Sequence, residues 1–216
     1  MQYTVAHFGA ETQVAGGAIV RSTPEETFAE ARSAMEHGDW DGFFACLVQD
    51  NLIRIAENSV GLFLNSSGSA AGIFDKLCHD NGIPKEKIDA LRGCAEHIVR
   101  SAAESRAAAT NPATMLEHSR RHQQIVAQYQ NSLKETIKAT PNLSSFVAAM
   151  ERTFRAESSG GSVSSKLFVD EILDDVSVDG SKAWGKRRTS AGPAEDIGFV
   201  KKKGQWYVHL FAKPRK

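Results

Sequence analysis

The hydrophobic periodicity of the chain changes at one segment, ESSGGSVSS, residues 157–165. Before this segment, apolar residues recur with the helical period of 3.6; after it, they alternate with polar residues as in strands. Serine and glycine dominate the segment itself, which is the composition of a linker. Helices followed by strands predict an α+β fold, with a helix-rich body and a C-terminal antiparallel sheet.

Residues 166–216 predict a sheet of four strands in a meander. Asp179-Gly180 separates KLFVDEILDDVSV from SKAWGKRRT, and this dipeptide favours the type I′ turn of a hairpin. SAGPAED then leads to IGFVKKK, and Lys203-Gly204 turns the chain into QWYVHLF. Both faces of this last strand include apolar residues, so we expect the helices to cover one face of the sheet.

The helical region has a clear start signal at Thr23. Thr23 and Glu26 form a capping box, and Pro24 occupies the first helical position. Gly38 is placed to end this helix in a left-handed conformation, and Asp39 is placed to cap the next one. The GDW turn at 38–40 is therefore predicted to be structural.

We predict a single domain over residues 22–216, after a tail or edge strand at 1–21. Its parts are opening helices (22–65), a helical insertion (66–158) and the sheet (166–216). The insertion begins with SSGSAAG (66–72), which is predicted to be a break between helices. A length of 216 residues is enough for a full core, and the 41% hydrophobic and 24% charged residues are ordinary for globular proteins.

The sequence predicts a cytoplasmic protein without a membrane partner. No stretch approaches the roughly 20 apolar residues that span a bilayer, and the first residues lack the basic start of a signal peptide. Cys46, Cys78 and Cys94 are three cysteines on predicted helices. This odd number favours buried free thiols in a reducing compartment over a disulfide framework.

The net charge of zero conceals a gradient along the chain. Residues 1–80 contain eleven acidic and four basic residues, whereas residues 181–216 contain ten basic and two acidic ones. The two ends are expected either to attract each other, to be merely solvated, or to form separate binding faces.

Both ends of the chain resemble one protein superfamily. TPEETFAEARSAMEHGDWDGFFACL is similar to the opening helices of nuclear-transport-factor-2-like proteins, the superfamily of SnoaL and ketosteroid isomerase. VSVDGSKAWGKRRTSAGPAEDIGFVKKKGQWYVHLF resembles that superfamily's last strands. The matched pieces cover about 60 residues, and around 100 mostly helical residues, roughly 57–158, stand where the superfamily has a short strand and a helix. The insertion could fill the superfamily's cavity, cover it, or pack outside it.

The resemblance implies a ligand cavity between the sheet and the helices, where some members move a proton next to a carbonyl. Asp170, Tyr207 and His209 would be the candidate catalytic residues of such a site. Tyr207 and His209, two apart, share one strand face, and their alternative role is packing with polar tips in water. Trp184 is interpreted as a core residue or as a binding platform. Residues expected to bind a ligand or partner are Trp184, Arg187, Tyr207 and His209.

A metal site is the alternative interpretation of a histidine pair. His118 and His122 lie four apart on a predicted helix, the spacing with which two imidazoles share a zinc ion. Arg120 and Arg121 oppose cation binding there, which favours a solvated helix face. Further ligands could in principle come from Cys78, His79, Cys94 and His97. Because no phosphate-binding glycine loop or G-x-S-x-G motif occurs, we predict no cofactor.

Three functions follow from these patterns. The first is non-catalytic binding of another protein, as in bacterial toxin-neutralising immunity proteins, with a homodimer also compatible. The second is a small-molecule enzyme or carrier that uses the implied cavity. The third is nucleic-acid binding through the basic runs at 186–188 and 201–203, whose lysines could instead protect strand edges.

Overall fold

The computed structural model describes residues 21–64, 69–107, 112–157, 168–189 and 192–212. Seven helices precede four strands within these ranges, which confirms the predicted α+β class. The helices are α1 (Pro24–Glu36), α2 (Trp40–Ala45), α3 (Gln49–Leu64), α4 (Ser69–Asp80), α5 (Lys85–Ala107), α6 (Pro112–Lys138) and α7 (Leu143–Glu157). The strands are β1 (Glu171–Asp179), β2 (Lys182–Thr189), β3 (Glu195–Lys202) and β4 (Gln205–His209). The predictions for residues 1–20 and for the linker at 158–165 lie outside the described residues.

The opening helices form as their capping residues predict. The Thr23 hydroxyl accepts a hydrogen bond from the Glu26 N–H at 3.1 Å, and the Glu26 carboxylate accepts one from the Thr23 N–H. Gly38 has a φ of 69°, and the Asp39 carboxylate accepts from the Gly42 N–H at 2.9 Å. The GDW turn therefore stops one helix and starts the next.

The predicted break at 66–72 is wrong in its second half, because α4 begins at Ser69. Alanine has the highest helix propensity, so Ala70 and Ala71 extend the helix backwards from its amphipathic part. Phe74 is fully buried and stacks on Phe63 of α3, with ring centroids 5.2 Å apart. Packing against α3 therefore decides where this helix lies.

The sheet is the predicted meander, with strand order β1-β2-β3-β4 and antiparallel pairing throughout. A bulge interrupts β1 between Asp174 and Ser177, where Asp175 has a φ of 53°. Gly185 of β2 lies opposite this bulge, and a Cβ there would come within 2.8 Å of Leu173 Cδ1. Because Gly185 has no side chain, β1 can approach β2 closely at the bulge.

Two details of the predicted hairpins are wrong. The first turn consists of Gly180 and Ser181, and only the glycine has positive φ, so it is not the type I′ turn expected for Asp179-Gly180. Positive φ at both central residues occurs instead at Lys203 and Gly204, at 50° and 84°. The predicted first strand also starts too early, because β1 begins only at Glu171.

Buried side chains of the helices and the inner sheet face form one hydrophobic cluster. The Phe168 ring lies 5.1 Å from Phe28 of α1 and 5.6 Å from Phe43 of α2, measured between centroids. Phe199, Trp206 and Val208 cover the inner sheet face and are all buried. None of the helices in the described ranges is long and apolar enough to cross a membrane.

Candidate functional site

The inner face of the sheet is filled by side chains. Phe168, Phe199 and Val208 are at most 1% exposed, and Trp206 is 3% exposed. These residues pack against α1 and α2 at the place where the sequence resemblance implied a ligand cavity. The interface between the sheet and these helices is therefore part of the core.

The predicted binding residues Trp184, Tyr207 and His209 belong to the outer sheet face. Strand alternation places them opposite to the buried Ala183, Trp206 and Val208. Trp184 of β2 pairs with Gly198 of β3, which in turn pairs with His209 of β4. All three predicted residues are half-buried, which leaves a broad, partly apolar face accessible from outside.

Gly198 is the point of this outer face on which the chain after β4 packs. A Cβ on Gly198 would collide with the Cβ of Ala212, because the chain after β4 folds back over this position. The Ala212 N–H donates to the carbonyl of His209 at 3.3 Å and holds this turn. A glycine between Trp184 and His209 is thus required by the path of the chain that follows β4.

Asp170 is not brought together with Tyr207 and His209. It is exposed and precedes β1, whereas the other two residues lie on β4, at the opposite edge of the sheet. Three strand spacings separate these edges, which is about 14 Å. A proton-transfer site needs its acid and base within hydrogen-bond reach of one reacting group, and this separation does not supply that geometry.

His209 lies beside α3. Burial lowers the pKa of its imidazole, Asp50 opposes this effect, and Lys202 lowers the pKa further. The neighbouring Leu210 N–H donates to the side-chain oxygen of the fully buried Asn51 at 3.2 Å. The local chain is thereby fixed to α3, and the folded protein favours the neutral imidazole.

Acidification is expected to destabilise the protein partly through His209. Because its pKa is lower in the folded state, the unfolded chain binds this proton more readily. The contribution of the neutral imidazole to the free energy of unfolding is fully present above the pKa of histidine in the unfolded chain, about 6.5. This contribution is lost as the pH falls through the lower pKa of the folded state. Urea unfolding followed from about pH 7 to about pH 5 should show a smaller acid-side loss in His209→Gln than in the wild type. Equal losses in both proteins would contradict this assignment.

Arg187 lies on the inner side of the sheet, within the protein. Its guanidinium contacts the carboxylates of Glu171 at 3.3 Å and Glu195 at 2.6 Å. It also lies 5.6 Å from the centroid of the Phe168 ring. These contacts make Arg187 a link between β1, β2 and β3, with only 17% of its side chain exposed.

His122 has a partner in the neighbouring helix. Its Nδ1 lies 2.8 Å from the hydroxyl of Ser101, and that hydroxyl donates to the carbonyl of Ile98 at 3.0 Å. This contact joins α6 to α5. His118 is half-buried one turn earlier. Among the described residues, no three His, Cys, Asp or Glu side chains are grouped so as to hold a metal ion.

The three cysteines differ in accessibility. Cys46 and Cys78 are buried, and burial raises the pKa of both thiols to about 12. Thiolates are the reactive form, so these two side chains act as apolar core groups at neutral pH. Cys94 is half-buried and lines a groove between α5 and α6.

This insertion groove has a volume of about 570 Å³. Its apolar floor includes Ile83 and Leu91, and its polar rim includes Lys87, Asn131 and Glu135. It lies between the α4–α5 turn, α5 and the end of α6. Sequence reasoning did not identify it, because the two long helices must first pair before the groove exists.

A second groove lies beside β4 and has a volume of about 380 Å³. Tyr207 of β4 lines it together with Lys202 and Lys203 of the adjoining hairpin. The remaining lining residues come from α2, α3, α7 and the segment that joins α2 to α3: Phe44, Ala45, Leu47, Val48, Gln49, Leu52 and Ser144. Of these residues, the sequence indicated a role in binding only for Tyr207 and for the basic run.

The outer edge of β4 is occupied by the chain's own backbone. Val208 donates to the Cys46 carbonyl at 2.8 Å and accepts from the Val48 N–H at 2.9 Å. The Trp206 N–H donates to the carbonyl of Arg21 at 3.0 Å. The hydrogen-bonding groups of this edge therefore have partners within the molecule, and the groove beside it is formed by side chains.

Comparisons of the chain with protein-family models, curated proteins and solved structures gave no match.

Proposed function

We propose that the chain is a non-catalytic protein that binds another protein through the outer face of its sheet. The supporting observation is the common position of Trp184, Tyr207 and His209 on that face, opposite to the buried Ala183, Trp206 and Val208. Large aromatic side chains with polar tips are typical of protein interfaces. A broad face suits a macromolecule better than a small molecule, which needs a concave site.

The packing of the inner sheet face favours this function over proton transfer. The proposed relationship to nuclear-transport-factor-2-like proteins rests on the order of the elements, with a capped helix, a GDW turn and a short helix at one end and the meander at the other. Members that act on small molecules use the cavity that Phe168, Phe199 and Trp206 fill in this chain. A toxin-neutralising role in bacteria is the specific form of protein binding that we favour.

A small-molecule carrier is the second candidate function, and the insertion groove favours it. A volume of about 570 Å³ lies within the usual range of ligand pockets. Its ligand would contact the apolar floor at Leu91 and the polar rim at Lys87 or Glu135. This function moves the ligand site from the sheet to the helical insertion.

Capture experiments with matched variants test the proposed function. The tagged full-length protein, Trp184→Ser and Tyr207→Ser would be used to capture proteins from an extract of the native host. Leu116→Ser changes a residue that is 53% exposed on α6, remote from the sheet, and serves as the control. We expect a partner that the control retains and the two sheet variants lose, with all proteins folded by circular dichroism. Retention by both sheet variants, or a shift in melting temperature only with small molecules, would overturn the proposal.

A further inference from the structure

The groove beside β4 has an apolar floor formed by side chains of the core. Phe44, Leu47 and Leu52 line it, and each is buried by the surrounding core. Tyr207 forms one wall, and Ser144 of α7 also lines the groove. With a volume of about 380 Å³, the groove has room for one or two apolar side chains of a partner.

Tyr207 is held in place by Arg21. The guanidinium carbon of Arg21 lies 5.7 Å from the centroid of the Tyr207 ring. The same guanidinium donates to the Glu30 carboxylate at 2.8 and 3.0 Å and to the Ala45 carbonyl at 2.9 Å. Since these contacts exist before any partner binds, the tyrosine wall of the groove is preorganised.

The rim of the groove is basic. Lys202 and Lys203 line it, and Lys182 and Lys201 lie at the same end of the sheet. The ion pairs of the sheet use Lys186, Arg187 and Arg188, and none in the described ranges includes Lys202 or Lys203. These two charges are thus available to a partner, and the turn at Lys203-Gly204 fixes their spacing.

The covered edge of β4 determines how a partner can bind. A peptide that binds by strand addition needs unpaired backbone groups on an edge strand. Arg21, Cys46 and Val48 already use those groups of β4. A partner at this groove must therefore be recognised through its side chains.

We propose that this groove binds an acidic segment of a partner protein, which places an apolar side chain on the floor while its carboxylates contact Lys202 and Lys203. This inference rests on the proposed function and adds the partner's chemistry and its contact point. We infer acidic residues in the partner because their charge is complementary to that of the two lysines. We infer an apolar side chain because the floor of the groove is apolar. A nucleic acid would satisfy the lysines but would leave the apolar floor without a matching group.

Peptide binding followed by fluorescence anisotropy tests this inference. The probe is a labelled peptide of Asp and Glu around a central Leu-Trp pair. Comparison probes replace Leu-Trp by Gly-Gly, replace the acidic residues by Lys, or substitute a single-stranded oligonucleotide. We expect only the acidic peptide with its apolar pair to bind well, with an affinity that decreases as salt is added.

Charge-reversal and groove-filling variants locate the binding. Lys202→Glu and Lys203→Glu are each expected to weaken binding of the acidic peptide by about tenfold. Ser144→Phe is expected to weaken it similarly, because the new ring would occupy the groove without removing a core residue. Lys134→Glu, on the exposed side of α6, should leave it unchanged.

Several outcomes would overturn this inference. The first is that Lys203→Glu and Lys134→Glu bind the acidic peptide equally well. The second is that the oligonucleotide binds more tightly than the acidic peptide, and the third is that the acidic peptide does not bind. The same variants in the host-extract capture separate the two proposals. If the partner is lost with Trp184→Ser but retained with Lys202→Glu and Ser144→Phe, the proposed function stands and the groove assignment fails.

Discussion

Replacing Phe168 by alanine is expected to lower the free energy of unfolding by about 3–5 kcal/mol. The ring is fully buried and contacts Phe28 of α1, Phe43 of α2 and the guanidinium of Arg187. Its removal would leave a cavity where the opening helices meet the sheet, and these rigid elements cannot close it. The backbone of Phe168 has a φ of 68°, an unfavourable conformation for a large residue that the ring's packing must outweigh.

Urea denaturation of the two proteins measures this loss. Phe154→Ala is the matched control, because Phe154 lies on α7 with 41% of its surface exposed. The free energy of unfolding of the control should fall by only about 1–2 kcal/mol, because a large part of the Phe154 ring stays in water and its removal leaves no closed cavity. Similar losses for the two variants would show that Phe168 does not join the helices to the sheet.

Replacing Arg187 by leucine is expected to lower the free energy of unfolding by about 2–3 kcal/mol. The loss is smaller than for a fully buried ion pair, because solvent reaches part of the site. The Glu171 and Arg187 side chains are only 13% and 17% exposed. Without the guanidinium, the Glu171 carboxylate would remain in this environment without its cationic partner. The effect is structural, so any loss of binding in this variant should follow from the loss of the folded state.

The adjacent Arg188 provides a control for this substitution. Its ion pair with Asp174 has a similar length, 2.8 Å, but the two side chains are 46% and 41% exposed. Arg188→Leu should therefore change stability by less than about 1 kcal/mol. A double variant, Arg187→Leu with Glu171→Gln, should recover part of the loss. No recovery would assign the role of Arg187 to its contact with Phe168.

The local parts of the fold could be predicted because short sequence signals determine them. Thr23 and Glu26 cap α1 through contacts three residues apart, and Gly38 ends it because a left-handed conformation suits glycine. The alternation of apolar residues in β4 places Trp206 and Val208 in the core. Each of these signals lies within one element or one turn.

The parts that could not be predicted depend on contacts between distant residues. Nothing near Cys46 or Val48 in sequence indicates that their backbone groups pair with Val208. The groove beside β4 combines Leu47 with Tyr207, so the groove appears only once the chain has folded. Arg187 looks like its neighbours in the run KRR, but its register places it inward, on Phe168.

The pairing of β4 with the opening segment also determines when the protein can fold during synthesis. About 160 residues separate Cys46 from Val208, so this contact closes most of the described chain. Contacts of such long sequence separation slow folding, because their loop entropy must be lost before they form. On the ribosome, the face of α1 that packs against the sheet stays uncovered until β1 and β4 have been made, whereas α2 can pack against α7 earlier. We therefore expect the nascent chain to expose Phe28 throughout the synthesis of the helical insertion, and to be a chaperone substrate during that time.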